Sequence, residues 1–369
     1  MTKKNTPKLR FPEFTDEWEE KKLKDMTNFI SSGKTKNKQQ EGKYNVYGSR
    51  GIIGHTNTPD YVGKFILIAR VGANAGDLFL INEKCGISDN TLIIELSLGN
   101  IAEFYLHLLK NFNLHRLIFG SGQPLITGKQ LKNSLLNFPN IDEQKKIANF
   151  LSKVDEKITL LEEKLELFND FKKFCMQQLF AQKLRFENFS GEYWVEKKIG
   201  EVANCLDNKR KPLNQQDRKK IKGNIPYYGA NGIVDYVNDY IFNEKIVLLA
   251  EDGGHFEEFR SKPIAQLIDG KSWVNNHAHV LINKQGLLIE FLFYSLVHKD
   301  VRKYINGTSR SKLNKKEMLS IKISVPTLKE QQKIVIFLTS IDNKIDKLII
   351  ELETIQKFKK FLLQQMFVW

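Results

Sequence analysis

Two long stretches of the chain, 141–182 and 327–369, carry the same spacing of hydrophobic positions. In each, apolar residues recur at alternating intervals of four and three, with Glu and Lys between them. This heptad pattern predicts two coiled-coil helices, each about 57 Å long at ~1.5 Å per residue. Because a lone heptad helix exposes its apolar stripe, we expect the two to pack together; two separate helices, each on its own domain, are the alternative. The predicted seam is Ile147, Leu151, Val154, Ile158, Leu161, Leu165, Ile334, Leu338, Ile341, Ile345, Leu348 and Leu352.

The two helical stretches belong to a longer internal repeat. Residues 139–180 align with 326–367 without a gap, and nearly half of these positions are identical. The repeat extends towards the N-terminus, where Tyr-Gly-Ser-Arg-Gly-Ile at 47–52 matches Tyr-Gly-Ala-Asn-Gly-Ile at 228–233. Each half is therefore predicted to be one globular domain followed by one helix. The predicted boundaries are 1–140, 141–182, 183–326 and 327–369.

The domains show a mixture of helical and strand patterns, so the predicted fold class is α+β. The second domain is tied to the end of the first long helix and to the start of the second. Antiparallel packing of the helices therefore needs no long crossover, and it predicts a dumbbell with approximate two-fold symmetry. Predicted strands include 65–69, 92–94 and 246–250, predicted turns 48–54 and 229–232, and predicted helices 101–118 and 287–304.

Composition adds a strong positive charge. The chain has 57 Lys and Arg against 43 Asp and Glu, a formal net charge of +14. This excess predicts a polyanionic partner, with nucleic acid favoured over an anionic membrane. No run of about 18 apolar residues occurs, so neither a transmembrane helix nor a membrane partner is expected. Cys85, Cys175 and Cys205 are scattered, which is typical of free thiols in a reducing cytoplasm, and we expect a cytoplasmic protein.

Residues with the spacing of a catalytic or metal site are scarce. The segment 122–129 resembles a phosphate-binding loop, but five residues separate its glycines and Gln130 replaces the magnesium-binding Ser or Thr. Amino-methyltransferases hold a target amine with the tetrapeptide Asn-Pro-Pro-aromatic or Asp-Pro-Pro-aromatic, and neither occurs in the sequence. His277 and His279 have strand spacing, which would put both rings on one face, yet two histidines without a third ligand are a weak metal signal. We expect no catalytic residue and no metal in this chain.

Polar positions of the domains differ between the two copies, whereas the helices keep their sequence. Glu-Asp-Gly-Gly-His at 251–255 corresponds to Arg-Val-Gly-Ala-Asn at 70–74. A shared catalytic site would not exchange its acid for an arginine, but a recognition loop could. Arg, Asn, Gln and His can discriminate bases, and loop clusters of Lys and Arg can bind phosphates. Base-reading candidates are Arg70, Asn74, Gln123, Asn231, His255, Asn276 and Arg310; phosphate candidates are Lys34, Lys36, Lys38, Lys43, Arg50, Lys129, Lys209, Arg210, Lys211, Lys219, Lys220 and Lys312.

The whole pattern resembles the specificity subunit of type I restriction-modification systems (HsdS). The resemblance covers essentially the entire chain and rests on motifs that occur twice, in the same order. The second copy departs at 187–188, where Glu-Asn replaces Pro-Glu, which touches only the start of that domain. The motifs are Leu-Arg-Phe-Pro-Glu-Phe at 9–14 with its counterpart at 184–189, Gly-Ser-x-Gln at 120–123 with its counterpart at 307–310, and Pro-x-x-x-Glu-Gln-x-Lys-Ile at 139–147 and 326–334.

This resemblance implies two target-recognition domains that read the two halves of a bipartite site in double-stranded DNA. It implies that the two helices act as a ruler that fixes the spacer between the half-sites. Two modification subunits would bind the helices and carry S-adenosylmethionine and the adenine-N6 methylation chemistry. Restriction subunits would add ATP- and Mg²⁺-dependent translocation and cleavage, so no cofactor is expected in this chain.

Two other classes of protein remain as alternatives. The first is a coiled-coil adaptor that binds only proteins, for which binding would not depend on salt. The second is a stand-alone DNA methyltransferase or nuclease, which would need a cofactor loop or carboxylate site that the sequence does not show. A purified chain that methylates or cuts DNA unaided would establish the second alternative.

Overall fold

The computed structural model describes residues 5–119, 124–189, 191–307 and 311–368, and its chain divides into two units. Unit 1 consists of Met1–Lys164 together with Leu348–Trp369, and unit 2 consists of Leu165–Lys347. Each unit therefore contains one copy of the repeated domain together with parts of both long helices.

Unit 1 is built on a six-stranded sheet. Its strands and helices are β1 (Glu19–Lys22), β2 (Thr27–Ser32), β3 (Tyr44–Gly48), β4 (Gly51–Thr56), β5 (Tyr61–Ala69), β6 (Leu78–Ile87), β7 (Thr91–Leu96), α1 (Ala102–Phe112), α2 (Gly128–Lys132), β8 (Leu135–Phe138) and the first part of α3 (Ile141–Phe180). The sheet has the order β2-β7-β5-β6-β3-β4, in which only β3 and β6 are parallel neighbours. The remaining strands, β1 and β8, pair separately.

The central strand β5 shows why this sheet forms. Its last five residues, Phe-Ile-Leu-Ile-Ala at 65–69, are all buried. Since side chains alternate along a strand, Ile66 and Ile68 join one apolar cluster while Phe65 and Leu67 join another. A strand buried on both faces needs this unbroken apolar run.

Unit 2 repeats the topology with two interruptions. Its elements are β9 (Val195–Lys198), α4 (Ile199–Val202), β10 (Ala203–Cys205), α5 (Gln215–Lys220), β11 (Lys222–Gly229), β12 (Gly232–Val237), β13 (Phe242–Asn243), β14 (Ile246–Ala250), β15 (Ala265–Ile268), β16 (Lys271–Val274), β17 (Ala278–Asn283), α6 (Ile289–Leu296), α7 (Lys315–Ser320), β18 (Lys322–Val325) and the first part of α8 (Leu328–Met366). Eight of its strands form two four-stranded sheets, β10-β17-β14-β15 and β12-β11-β16-β13, and the remaining two, β9 and β18, pair separately. Strand β5 of unit 1 thus corresponds to two strands, β13 and β14, and β6 corresponds to β15 and β16, which are separated by a turn at Gly270, whose φ is +87°.

The long helices α3 and α8 are antiparallel, as the sequence predicted. In unit 1 the start of α3 packs on the end of α8, and Lys157 lies 2.7 Å from Glu351. In unit 2 the end of α3 packs on the start of α8, where Lys172 pairs with Asp342. Of the predicted seam, nine side chains are buried, and three, Ile158, Leu165 and Leu352, are half-buried.

The repeated sequence motifs are physical partners of one another. In unit 1 both Nε and Nη2 of Arg10 donate to the Glu143 carboxylate, at 2.8 and 2.7 Å. In unit 2 Arg185 makes the same two-bonded contact with Glu330, at 3.0 and 2.7 Å. Both carboxylates are buried, and the bond to Glu143 raises the pKa of Arg10. The Leu-Arg-Phe motif therefore anchors the start of each domain to the start of its helix.

Several element boundaries differ from the predictions. The predicted turn at 48–54 is a two-residue turn, and β4 already begins at Gly51. The helix predicted over 101–118 stops at Phe112, because Asn113 takes a left-handed conformation with φ +56°. The helix predicted over 287–304 ends at Leu296. Local apolar periodicity continued past these ends because the following residues also pack on the core.

Candidate nucleic-acid interface

Each unit presents a β-hairpin of the same form, β3–β4 in unit 1 and β11–β12 in unit 2. Each has a two-residue turn followed by a glycine with positive φ, +87° at Gly51 and +132° at Gly232. These are conformations that a side chain would strain. The second turn position holds Arg50 in unit 1 and Asn231 in unit 2, and both are exposed.

The other predicted base-reading residues of unit 1 lie after β5. Arg70 is half-buried; its Nη1 donates to the carbonyl oxygen of Asp89 at 3.4 Å, and its buried Nε has no partner among the described residues. Asn74 is partly exposed, and its main-chain carbonyl accepts a hydrogen bond from the main-chain N–H of Asp77 at 2.9 Å. Gln123 lies outside the described residues, as does Arg310 of unit 2.

Unit 2 carries an open cleft of about 810 Å³ beside its hairpin. Asn231 and Asn276 both line it, together with the backbone of Gly253, to which Asn231 Nδ2 donates at 2.8 Å. His255 does not line this cleft, and its Nδ1 lies 3.6 Å from the Glu258 carboxylate. The structure therefore brings two of the predicted base-reading residues of unit 2 together and leaves the third apart.

The phosphate prediction for Arg210 needs correction. Its Nη1 donates to Glu251 and to the carbonyl of Ala278, each at 2.7 Å, and its Nη2 lies 3.3 Å from Asp207. Only 13% of the side chain is exposed. Because internal acceptors occupy the guanidinium, it has no pair of N–H groups left to bind a phosphate. It instead links the end of β14 and the start of β17 to the segment after β10. The flanking Lys209 and Lys211 are exposed, a difference that the charge run itself does not reveal.

The two histidines have different surroundings and do not form one polar face. His277 precedes β17, is 40% exposed and pairs with Asp252. His279 is fully buried; its Nδ1 lies 2.6 Å from Asp207 and its Nε2 2.7 Å from the carbonyl of Leu313. The ring therefore lies between two oxygen atoms, one of the Asp207 carboxylate and one of the Leu313 carbonyl, and both can accept hydrogen bonds.

Cys205, Asp207 and His279 offer donor atoms within 4.8 Å of one another, a spacing that a metal ion could use. Burial raises the pKa of the Cys205 thiol to about 11, so the thiolate that a metal needs is disfavoured. Burial also opposes ionisation of Asp207, but the hydrogen bond from His279 and nearby charges outweigh it and lower the Asp207 pKa. With Arg210 beside Asp207, the arrangement fits a hydrogen-bonded charge network better than a metal site.

The other predicted phosphate-binding residues are exposed. Two of them lie near carboxylates: Lys220 is 3.3 Å from Asp217, and Lys312 is 3.1 Å from Glu251. The exposed Lys220–Asp217 pair is weak and exchanges readily for other anions. Lys312 instead contacts a carboxylate that is only 12% exposed. Their role in DNA binding stays a prediction. The exposed set is Lys34, Lys36, Lys38, Lys43, Arg50, Lys129, Lys209, Lys211, Lys219, Lys220 and Lys312.

Sequence reasoning missed a pair of exposed phenylalanines on each long helix. Phe171 and Phe174 of α3 lie in unit 2, and Phe358 and Phe361 of α8 lie in unit 1. All four are between 43% and 56% exposed, although large apolar side chains are normally buried. The sequence feature that could have indicated them is Phe-Lys-Lys-Phe, which occurs at 171–174 and again at 358–361. The four residues lie off the heptad seam, so the spacing of the seam does not predict their exposure.

Tandem units of one fold, each with the same hairpin and a variable polar tip, define a duplicated recognition protein. The family described as the type I restriction modification DNA specificity domain matches residues 15–168 and again 191–356. The chain belongs to this family. It is a type I restriction-modification specificity subunit with two target-recognition domains.

Relatives match over different lengths. The type I restriction enzyme MjaVIII specificity subunit of Methanocaldococcus jannaschii is 28% identical and aligns with 95% of this chain and 92% of its own length. A putative type I specificity subunit of Haemophilus influenzae is 42% identical over 139 residues, which is 38% of this chain and 35% of that relative. The crystal structure of a type I S subunit from M. genitalium shares the fold, with a TM-score of 0.72 at 21% identity, covering 98% of this chain and 99% of that one. Within the described ranges, no helix combines the length and apolar character that crossing a bilayer requires.

Proposed function

We propose that each target-recognition domain reads one half of a bipartite site in double-stranded DNA, and that the helices α3 and α8 set the distance between the half-sites. The observation that carries this proposal is that the two units share their structure but differ in the residues exposed at the hairpin tip. Both keep the hairpin and the buried Arg–Glu anchor, yet they differ at the hairpin tip, Arg50 against Asn231. Two similar units with different tips suit two different DNA sequences.

The chain is proposed to be the non-catalytic subunit of its complex. Its relatives are named specificity subunits, and the strongest cluster of titratable groups, around Asp207 and His279, is occupied by internal partners. S-adenosylmethionine, ATP and Mg²⁺ would then belong to partner subunits. The proposed location is the cytoplasm, where Cys85, Cys175 and Cys205 would stay free thiols, as they are here.

Two modification subunits are the proposed protein partners, and restriction subunits would join them. The exposed phenylalanine pairs support this number. The same pair, Phe-Lys-Lys-Phe, is displayed once in each unit, and a surface that occurs twice suits two copies of one partner.

Mass measurement of the assembled complex tests this docking site. We expect F171A/F174A to lose one of two modification subunits, and the combination with F358A/F361A to lose both. Leu167→Ala is the matched control, because Leu167 is 68% exposed but its counterpart in the second repeat is Thr354. Two bound subunits in the fourfold variant would exclude this site.

The main experiment is co-expression of this chain with a cognate modification subunit, followed by genome-wide mapping of N6-methyladenine. A bipartite motif with a fixed gap, methylated on both strands, is the expected result. A well-assembled complex that methylates nothing would favour the protein-binding adaptor. Affinity for DNA should also fall with salt, with a log–log slope of about −0.9 per phosphate contact, whereas an adaptor would show no such dependence.

A further inference from the structure

The hairpins β3–β4 and β11–β12 are equivalent in detail. In both, the first strand also pairs in parallel with a second neighbour, β6 in unit 1 and β16 in unit 2. In both, the residue before the turn is a glycine, because a side chain from the second strand lies over that residue and leaves no room for a Cβ. A Cβ at Gly48 would lie 2.8 Å from the Ile53 side chain, and one at Gly229 would lie 2.8 Å from that of Val234. The second turn position therefore has the same backbone setting in the two units.

The residue at that position is exposed in both hairpins, and the residue two places further is an exposed isoleucine in both copies. Ile52 is 54% exposed and Ile233 is 48% exposed. An apolar side chain gains nothing beside a phosphate, but it can contact the C5-methyl group of thymine in the major groove. A two-stranded β-ribbon also has the width that the major groove of B-DNA accepts.

The turn residues themselves have free hydrogen-bonding groups. The guanidinium of Arg50 makes no hydrogen bond or ion pair with any described residue, so its whole fork is available. Asn231 uses one N–H of its amide on the carbonyl of Gly253, at 2.8 Å. Its second N–H and its Oδ1 remain, which together are the donor and acceptor that a bidentate contact needs.

We infer that the second turn residue of each hairpin reads a base in the major groove, Arg50 a guanine in one half-site and Asn231 an adenine in the other. Arginine matches the O6 and N7 acceptors of guanine, and asparagine matches the N6 donor and N7 acceptor of adenine. This inference rests on the proposed function and adds the base that each unit reads. It also replaces the phosphate role that the sequence suggested for Arg50.

The test uses the complex of this chain with its modification subunit and DNA duplexes in which one purine at a time carries carbon in place of N7. Once the methylated motif is known, each guanine is replaced by 7-deazaguanine and each adenine by 7-deazaadenine. At one guanine position, we expect 7-deazaguanine to lower the affinity of the wild-type complex for the duplex on the order of tenfold and to leave the affinity of the R50A complex unchanged. At one adenine position, we expect 7-deazaadenine to lower the affinity of the wild-type complex and to leave that of the N231A complex unchanged.

Two further variants separate the contact of Arg50 with the base from its charge and from its position in the turn. Arg50→Lys retains the charge but lacks the planar fork, so it should bind DNA with a smaller loss of affinity at the modified guanine than the wild type shows. Ser49→Ala, at the neighbouring turn position, should keep the wild-type sensitivity. If a variant does not assemble, a wild-type complex that is insensitive to every 7-deazaguanine still overturns the assignment of Arg50.

The outcomes separate this inference from the proposed function. A wild-type complex that shows no sequence-specific binding would contradict the proposed function before any variant is made. Specific binding that is insensitive to every 7-deazaguanine, or equal losses for wild type and R50A, would overturn the assignment of Arg50 alone. Equal losses for wild type and N231A at every adenine would overturn the assignment of Asn231.

Discussion

At the residue scale, the buried contact between Arg10 and Glu143 shows how a short motif can be structural. The two residues are 133 positions apart, yet they make two hydrogen bonds and only 1% of the Glu143 side chain is exposed. Their counterparts Arg185 and Glu330 do the same in unit 2, where the indole N–H of Trp194 also donates to Glu330 at 3.0 Å. The motif is therefore repeated because both domains must be fixed to a helix.

Glu143→Gln is expected to lower the free energy of unfolding by about 3 kcal/mol, because it leaves a largely buried guanidinium without its counter-charge. Chemical denaturation followed by circular dichroism measures the change. Lys145→Gln, on an exposed side chain nearby, should change stability by less than about 0.5 kcal/mol. A stable Glu143→Gln variant would show that the contact contributes little.

Arg210 and Lys209 are adjacent but should have separate effects. Arg210→Ala removes the partner of two largely buried carboxylates, Asp207 and Glu251, and we expect a stability loss of about 3 kcal/mol. Lys209→Ala should leave stability unchanged and weaken DNA binding by the complex, with the salt slope reduced by about 0.9 if it contacts a phosphate. The opposite assignment of effects would restore Arg210 as a phosphate ligand.

At the scale of elements, the long helices combine heptad burial with matched charges along their length. In unit 1, Asp155 pairs with Lys359 and Lys157 with Glu351, so the register of α3 against α8 is specified by ion pairs as well as by the seam. A shift of either helix against the other would break both sets of contacts.

Deletion of seven residues from α3 alone, 158–164, should therefore abolish methylation, because one helix loses a heptad that the other keeps. Deletion of the heptad of α8 that packs there, 350–356, in the same chain should restore pairing. The doubly shortened helix pair would be about 10.5 Å shorter, and the methylated motif should lose about 3 base pairs of spacer. An unchanged spacer in that variant would show that the helices do not set the gap.

At the scale of the whole molecule, the two recognition domains are separate modules of one chain. Each has its own apolar clusters, and unit 2 shows that breaks in the strands equivalent to β5 and β6 leave the order of the strands unchanged. The positive charge is a property of the entire chain, at +14, and would raise affinity for any DNA without choosing a sequence.

Exchange of residues 184–325 for the corresponding segment of another specificity subunit should change one half of the methylated motif and leave the other half and the spacer as they were. Mapping N6-methyladenine in cells that express the chimera with the modification subunit gives the result directly. A change in both halves would contradict the assignment of one half-site to each domain.

The sequence by itself determined the features that depend on spacing along the chain. Heptads predict helices because apolar side chains must share one face, and the antiparallel direction followed from how short the connections are. The duplication of the domain and the family resemblance were equally visible, since both are properties of residue order. Each of these depends on neighbours in sequence, which is the information that a single chain contains.

Only the tertiary structure decided which polar residues face inward. Lys209, Arg210 and Lys211 form one charge run, yet of the three side chains only that of Arg210 donates to Glu251, which follows β14, and to the Ala278 carbonyl of β17. The partnership of Arg10 with Glu143 and the equivalence of Arg50 with Asn231 at the hairpin tips likewise required the fold. A buried charge needs partners that converge on it, and where these are distant in sequence, as Glu143 is from Arg10 and Ala278 from Arg210, the convergence has no local signature.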